Sequence, residues 1–248
     1  MKRVVIASDA EYGATVALLV ARAEQAESEQ ASDNKAESVR AIVQAVRERG
    51  DDAVAEFTAR FDKVALTPEQ FEVTPDEIDA GVEQVEADLF AALERAHGNI
   101  RRFHTKNLRQ SWEEVDDDGT ILGQRVTPIE SAGVYVPGGT AFYPSSVLMN
   151  IVPASVAGVK EIIMVSPPTW HGGLHPLVLA AAKIAGATRV FRIGGAQAVA
   201  ALAYGTEHVP SVLKITGPGN AYVTLAKRLI SSRCDIDKEA GPSEDRKS

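Results

Sequence analysis

Apolar residues follow two spacing regimes that change near Ser111. Before it they recur at helical intervals; after it they come in short runs broken by glycine and proline. Ala14 to Ala26 is rich in Ala, Val and Leu, and the chain then turns polar through Ser28 to Asn34. From Ser38, the positions Val39, Ile42, Val43 and Val46 predict one helix face, with Gly50 as its stop. Asp51 or Asp52 can cap the next helix, which carries Val54, Phe57 and Phe61 on one side. Thr74-Pro75-Asp76-Glu77 is a start signal: Thr74 as N-cap, Pro75 in the first turn, Glu77 completing a capping box. A long helix or a pair of helices then runs toward His104.

Beyond Ser111 the pattern alternates. Asp118-Gly119 predicts a hairpin turn between the acidic Trp112–Asp118 stretch and a strand over Ile121–Val126. Strands are predicted at Gly133–Val136, Glu161–Val165, Arg189–Ile193 and Val212–Thr216. Helices are predicted at Ser145–Ala157, Leu177–Ala185, Ala196–Tyr204 and Tyr222–Ile230. Short β-rich runs alternating with helices of about ten residues are the pattern of βαβ units. The expected class is α/β: a Rossmann-like parallel sheet placed after a helical N-terminal segment, with the change near residue 127.

Composition narrows the partners. Hydrophobic residues make up 45% and charged residues 24%, as in a water-soluble globular protein. A net charge of −8 argues against nucleic acid or an anionic membrane. Cys234 is the sole cysteine, which excludes a disulfide framework within one chain, suits a reducing compartment and reads as a small filler. The basic start Met1-Lys2-Arg3 is followed by too short an apolar run for a signal peptide, and no run approaches the ~18 apolar residues of a membrane span. A cytoplasmic location is expected.

Three glycine turns follow predicted strands: Pro137-Gly138-Gly139, Gly194-Gly195-Ala196-Gln197 and Gly217-Pro218-Gly219-Asn220. In a parallel sheet such turns share the carboxyl edge, where doubly wound folds bind ligands. Glycine lets backbone N–H groups approach an anion, and helix N-termini favour phosphate. None matches GxGxxG, and each alone can be simply a tight turn. Gln197 and Asn220 add amides suited to ribose hydroxyls or a nicotinamide. Tyr135, at a strand end, either lines the pocket or is a core ring with a satisfied hydroxyl. A phosphate-binding or a nucleotide-binding protein fits these loops equally well.

Gly133–Met149 (GVYVPGGTAFYPSSVLM), Pro153–Ile162, Gly194–Glu207 (GGAQAVAALAYGTE), GPGN and Ala240–Glu244 (AGPSE) together resemble histidinol dehydrogenase, as does the opening segment Val39–Asp62. The resemblance covers nearly the whole chain in the family's order. It implies a zinc-dependent homodimeric enzyme that oxidises L-histidinol to L-histidine, reducing two NAD in succession. It also implies NAD contacts at Tyr135, Gln197 and Asn220 and a substrate contact at Ser243. The family's pair of Rossmann-like domains, the first interrupted by the second, implies three segments. Residues 1–127 begin the first domain, 128–238 form the inserted NAD-binding domain, and 239–248 return to the first.

The family pattern departs after Ser243-Glu244, where an apolar strand is replaced by Asp245-Arg246-Lys247-Ser248. The family's Gln-x-x-His pair, its Glu-His acid/base pair and its later Asp and His zinc ligands have no counterpart here. The chain therefore reads as a truncated member expected to be inactive alone, the alternative being a non-catalytic nucleotide-binding or interaction module. The histidines present supply no metal site. His171 and His175 are split by Gly172-Gly173 and predict a solvated loop, His97 and His104 lie beside Arg101 and Arg102, and His208 predicts an exposed turn.

Overall fold

The computed structural model describes residues 29–138 and 141–238; the Ala14–Ala26 reading, Gly139, Ser243 and the segment 239–248 lie outside them. Helix α1 spans Glu29–Arg49 and starts well before the apolar face does. Lys35, Ala36 and Glu37, just ahead of that face, are strong helix formers. Helix α2 covers Asp51–Asp62, and Gly50 (φ +56°) occupies its N-cap, with no side-chain cap. The expected aspartate cap is therefore absent. Asp51 instead accepts the His208 N–H at 3.1 Å and lies 2.8 Å from its Nδ1.

A 3-10 turn (Pro68–Gln70) leads to α3, Pro75–Glu83, whose capping box is formed as expected. Thr74 Oγ1 accepts from the Glu77 N–H at 3.2 Å, and Glu77 Oε2 accepts from the Thr74 N–H at 2.9 Å. Helix α4, Ala87–Lys106, completes the pair. Strands β1 (Trp112–Val115) and β2 (Ile121–Gln124) form the antiparallel hairpin, turning through Gly119 at φ +84°. Both of its faces are exposed.

The remaining strands are β3 (Ser131–Tyr135), β4 (Glu161–Val165), β5 (Arg189–Phe191), β6 (Lys214–Thr216) and β7 (Asp235–Ile236). They form one parallel sheet in the order β5-β4-β3-β6-β7. Helices α5 (Pro144–Val156) and α6 (Pro176–Ala185) cover one face, packing on Val134, Val136, Ile162, Met164 and Val190. Helices α7 (Gly195–Tyr204) and α8 (Ala221–Ile230) cover the other, on Tyr135, Ile163, Val165, Phe191 and Ile215. Burial on both faces is why these strands read as unbroken apolar runs. Each fully buried Ile or Leu stabilises the fold by about 1.5–3 kcal/mol.

The N-terminal helices add an outer layer on each side, α1 and α2 against α7, and α3 and α4 against α5 and α6. The segment between α2 and α3 also covers the β5 edge. Val73 N–H donates to Val190 O and Arg192 N–H donates to Phe71 O, both at 2.8 Å. Strand β5 stops before Ile193, and the two bonds make an antiparallel bridge between Glu72 and Phe191 along its outer edge. Arg189 holds Glu72 through two bonds of 2.7 and 2.6 Å, while fully buried Phe71 anchors the crossing. Strand β6 likewise begins later than expected, because Val212 N–H donates to Leu202 O at the end of α7. Cys234 is the buried filler its sequence context implied; burial pushes its thiol up to about 11.

His208 is not the exposed turn residue expected. Hydrogen bonding to the buried Asp51 carboxylate raises its pKa above the ordinary histidine value, with the charges of Asp51, Glu207 and Glu69 adding to this against desolvation. A raised folded-state pKa gives stability that is complete below the unfolded value, about 6.5, and is lost as pH climbs through the folded value. The thermal midpoint of the wild type is thus expected to exceed that of His208→Ala most at mildly acidic pH. The gap should narrow as pH rises above neutrality, in a paired series of melting curves.

Candidate dinucleotide site

In chain order the five parallel strands lie 3-2-1-4-5, the mononucleotide-binding order with its reversal between β3 and β6. A crevice opens at such a reversal, beyond the carboxyl ends of the strands. The turns after β3, β5 and β6 all lie on that rim, as expected from sequence.

Gly217 makes the closest approach. Its φ is +108°, and a Cβ there would sit 2.1 Å from Tyr135 O, so the β6 turn lies directly against the end of β3. Asn220 ends this turn as the N-cap of α8, and its Oδ1 accepts from the Tyr222 and Val223 N–H groups at 3.0 and 3.1 Å. The acceptor half of this amide is therefore used by the helix, leaving the exposed NH₂ as the half available to a ligand. Next to the turn is a cleft of about 230 Å³ lined by Asn150, Gly217, Pro218, Thr224, Lys227 and Asp237.

Tyr135 is a core residue, 3% exposed. Its ring cannot stack on an exposed base, but its hydroxyl accepts the Gly195 N–H at 3.1 Å and so reaches the second glycine turn. Burial pushes the phenol up to about 12, keeping it neutral. Gln197 lies one turn into α7 and is 1% exposed. Both Oε1 and Nε2 are buried without a hydrogen-bond partner. The side chain folds back over the turn, so that a Cβ on Gly195 would meet Oε1 at 2.5 Å. An unmet buried amide costs about 1–3 kcal/mol per group, and a ligand offering one donor and one acceptor removes that cost.

Two residues of this edge escaped the sequence reading, Lys227 and Asp237. The signal available was a lysine at i+4 from Val223, between Ala226 and Ile230, on the buried face of α8. His175 also departs from expectation. Its Nδ1 caps α6 by accepting the Leu177 N–H at 3.1 Å, and its ring stacks on Phe142 at 3.7 Å, so it is not a solvated loop residue.

A larger hollow, about 370 Å³, lies at the opposite, amino edge and is lined by Glu69, Glu72, Arg189, Glu207 and His208. It carries no glycine turn. Asp51, Glu207 and His208 there are the one group of three metal-ligating side chains among the described residues.

The histidinol dehydrogenase family profile matches residues 25–245. The chain belongs to the histidinol dehydrogenase family. It is 50% identical over 244 residues to a histidinol dehydrogenase of Syntrophotalea carbinolica, covering 98% of this chain and 55% of that protein. Against the Aquifex aeolicus histidinol dehydrogenase it is 56% identical over 207 residues, 84% of this chain and 47% of the relative. The crystal structure of histidinol dehydrogenase from Elizabethkingia anophelis superposes with a TM-score of 0.79 at 36% identity, over 84% of this chain and 48% of that one. The chain thus spans about half the length of the histidinol dehydrogenases it matches.

Proposed function

We propose that this chain forms the NAD-holding part of a histidinol dehydrogenase, serving the oxidation of L-histidinol to L-histidine in histidine biosynthesis. The observation that carries the reading is the unpaired, buried Gln197 amide beside a glycine turn on the carboxyl edge. Bound there, NAD supplies the hydride acceptor for an alcohol oxidation. Gln197 swings out from its buried position over the Gly195 turn to pair with a neutral polar edge of the cofactor, the Asn220 NH₂ donates to it, and Tyr135 holds the Gly195 N–H in place. The α8 N-terminus adjoins the cleft, where its dipole favours a phosphate group. Ser243 is proposed as the substrate contact.

Segments 1–127, 128–238 and 239–248 are proposed as the start of one domain, the inserted NAD-binding domain, and the return to the first. A homodimer in the cytoplasm is proposed with them. No helix among the described residues is long and apolar enough to cross a membrane. Zinc does not fit the described carboxyl edge, because the one three-ligand group among the described residues lies at the other edge of the sheet. Among the described residues the hydrogen-bonded histidine–carboxylate pair, His208–Asp51, is likewise at that other edge.

Residues 1–248 alone are therefore expected to bind NAD and to form little or no NADH from histidinol. Calorimetry of Asn220→Ala checks the binding. Loss of one neutral hydrogen bond should weaken NAD about 3–10-fold, and loss of the cap should reduce stability by about 1 kcal/mol. Unchanged affinity would remove Asn220 from the site. Steady NADH production by the purified chain, abolished by a chelator, would overturn the expectation of inactivity.

A further inference from the structure

Lysine is rare on the buried face of a helix, because an unpaired ammonium is costly to desolvate. Lys227 is 4% exposed on α8, flanked by buried Val223, Ala226 and Ile230. Its Nζ donates to Gly217 O at 2.7 Å and to Asp237 Oδ1 at 2.6 Å. Asp237 Oδ2 accepts the Gly217 N–H at 2.9 Å, and Oδ1 also accepts the Lys238 N–H at 2.8 Å. Both backbone polar groups of one glycine are thus held by the two ends of one ion pair.

We propose that Lys227 and Asp237 are positioning residues for the ligand of the carboxyl-edge cleft, acting as a two-sided clamp that preforms the Gly217–Asn220 turn. This rests on the dinucleotide reading of that cleft. Glycine loses more backbone freedom on ordering than any other residue, and Gly217 must hold φ +108° against the end of β3. The clamp fixes that geometry before a ligand arrives, so the ordering is not charged against binding. Both residues also line the cleft. Burial raises the Asp237 pKa, but the Lys227, Lys238 and Gly217 hydrogen bonds outweigh it and leave the carboxyl below its ordinary range.

Two measurements on the same chain test the clamp. Amide hydrogen exchange at Gly217, Gly219 and Asn220 should speed up about tenfold or more in Lys227→Met, with the β3 and β4 amides unchanged. NAD should bind about tenfold more weakly to that variant. Asp237→Asn, which keeps the shape but removes the charge and turns one acceptor oxygen into an NH₂ donor, is the second variant should Lys227→Met fail to fold; changes in the same direction are expected. Exchange unchanged in a folded variant overturns the clamp. Faster exchange with unchanged NAD affinity overturns the positioning role, since a merely structural pair would lower the melting point without touching the dissociation constant. Absence of NAD binding by the wild type brings down the dinucleotide reading and the positioning role with it, while the exchange result still decides whether the turn is clamped.

Discussion

Gln197→Met is expected to make the protein more stable and, at the same time, weaken NAD binding by about a hundredfold. Methionine fills a similar volume without polar atoms, so the unmet donor and acceptor disappear from the core. Removing them is worth about 1–3 kcal/mol, and each kcal/mol moves the melting point of a protein this size by about 2–4 °C. On the ligand side, two neutral hydrogen bonds are lost and the cofactor groups they met are left unpaired, which together approach 3 kcal/mol, or about two orders of magnitude in affinity. Opposite signs in the two readouts are the signature of a polar group kept for a ligand. A lower melting point would mean that the amide already has a partner, such as water, in the free protein.

Gly217→Ala is expected to prevent stable folding. The new Cβ would lie 2.1 Å from a backbone oxygen of β3, and φ +108° is strained for any L side chain. Neither problem is relieved by a rotamer change, because the obstacle is main chain. The total stability of a domain is about 5–15 kcal/mol, so a lesion of more than about 4 kcal/mol should show as insoluble protein or a melting point lowered by more than about 10 °C. Gly98→Ala is the control. Gly98 sits exposed inside α4 with open space around a Cβ, and the change should stabilise by about 0.5–1 kcal/mol. Equal behaviour of the two variants in thermal melts would show that the β6 turn is not packed against β3 as described.

Much of this architecture was legible before coordinates. Strand β4 matches its expected limits because an unbroken apolar run is what a strand buried on both faces requires. Helices α6 and α7 end where Gly186 and Gly205 permit positive φ, at +90° and +76°. The shared rim of the three glycine turns followed from their places after parallel strands. Strand β7 was not legible: two residues, Asp235 and Ile236, carry no apolar run, and pairing with Lys214 and Ile215 alone defines it. The Phe71–Val73 crossing of the β5 edge was hidden for the same reason, since contacts distant in sequence set it. Side-chain environments were harder still. The amide of Gln197 was visible as chemistry, yet its burial follows from an α7 that is apolar all round, with every residue from Ala196 to Ala203 buried. The core placement of Tyr135 and the ties of His175 and His208 depend on neighbours from other elements.

Titration of NAD into the purified chain, followed by calorimetry and by backbone amide shifts, tests the central claim most directly. Saturable binding is expected, with the largest shifts at Gly195, Gly217 and Asn220. Folded protein that gives no heat and no shifts at millimolar NAD, or shifts confined to the Glu207–His208 hollow at the amino edge, would contradict it.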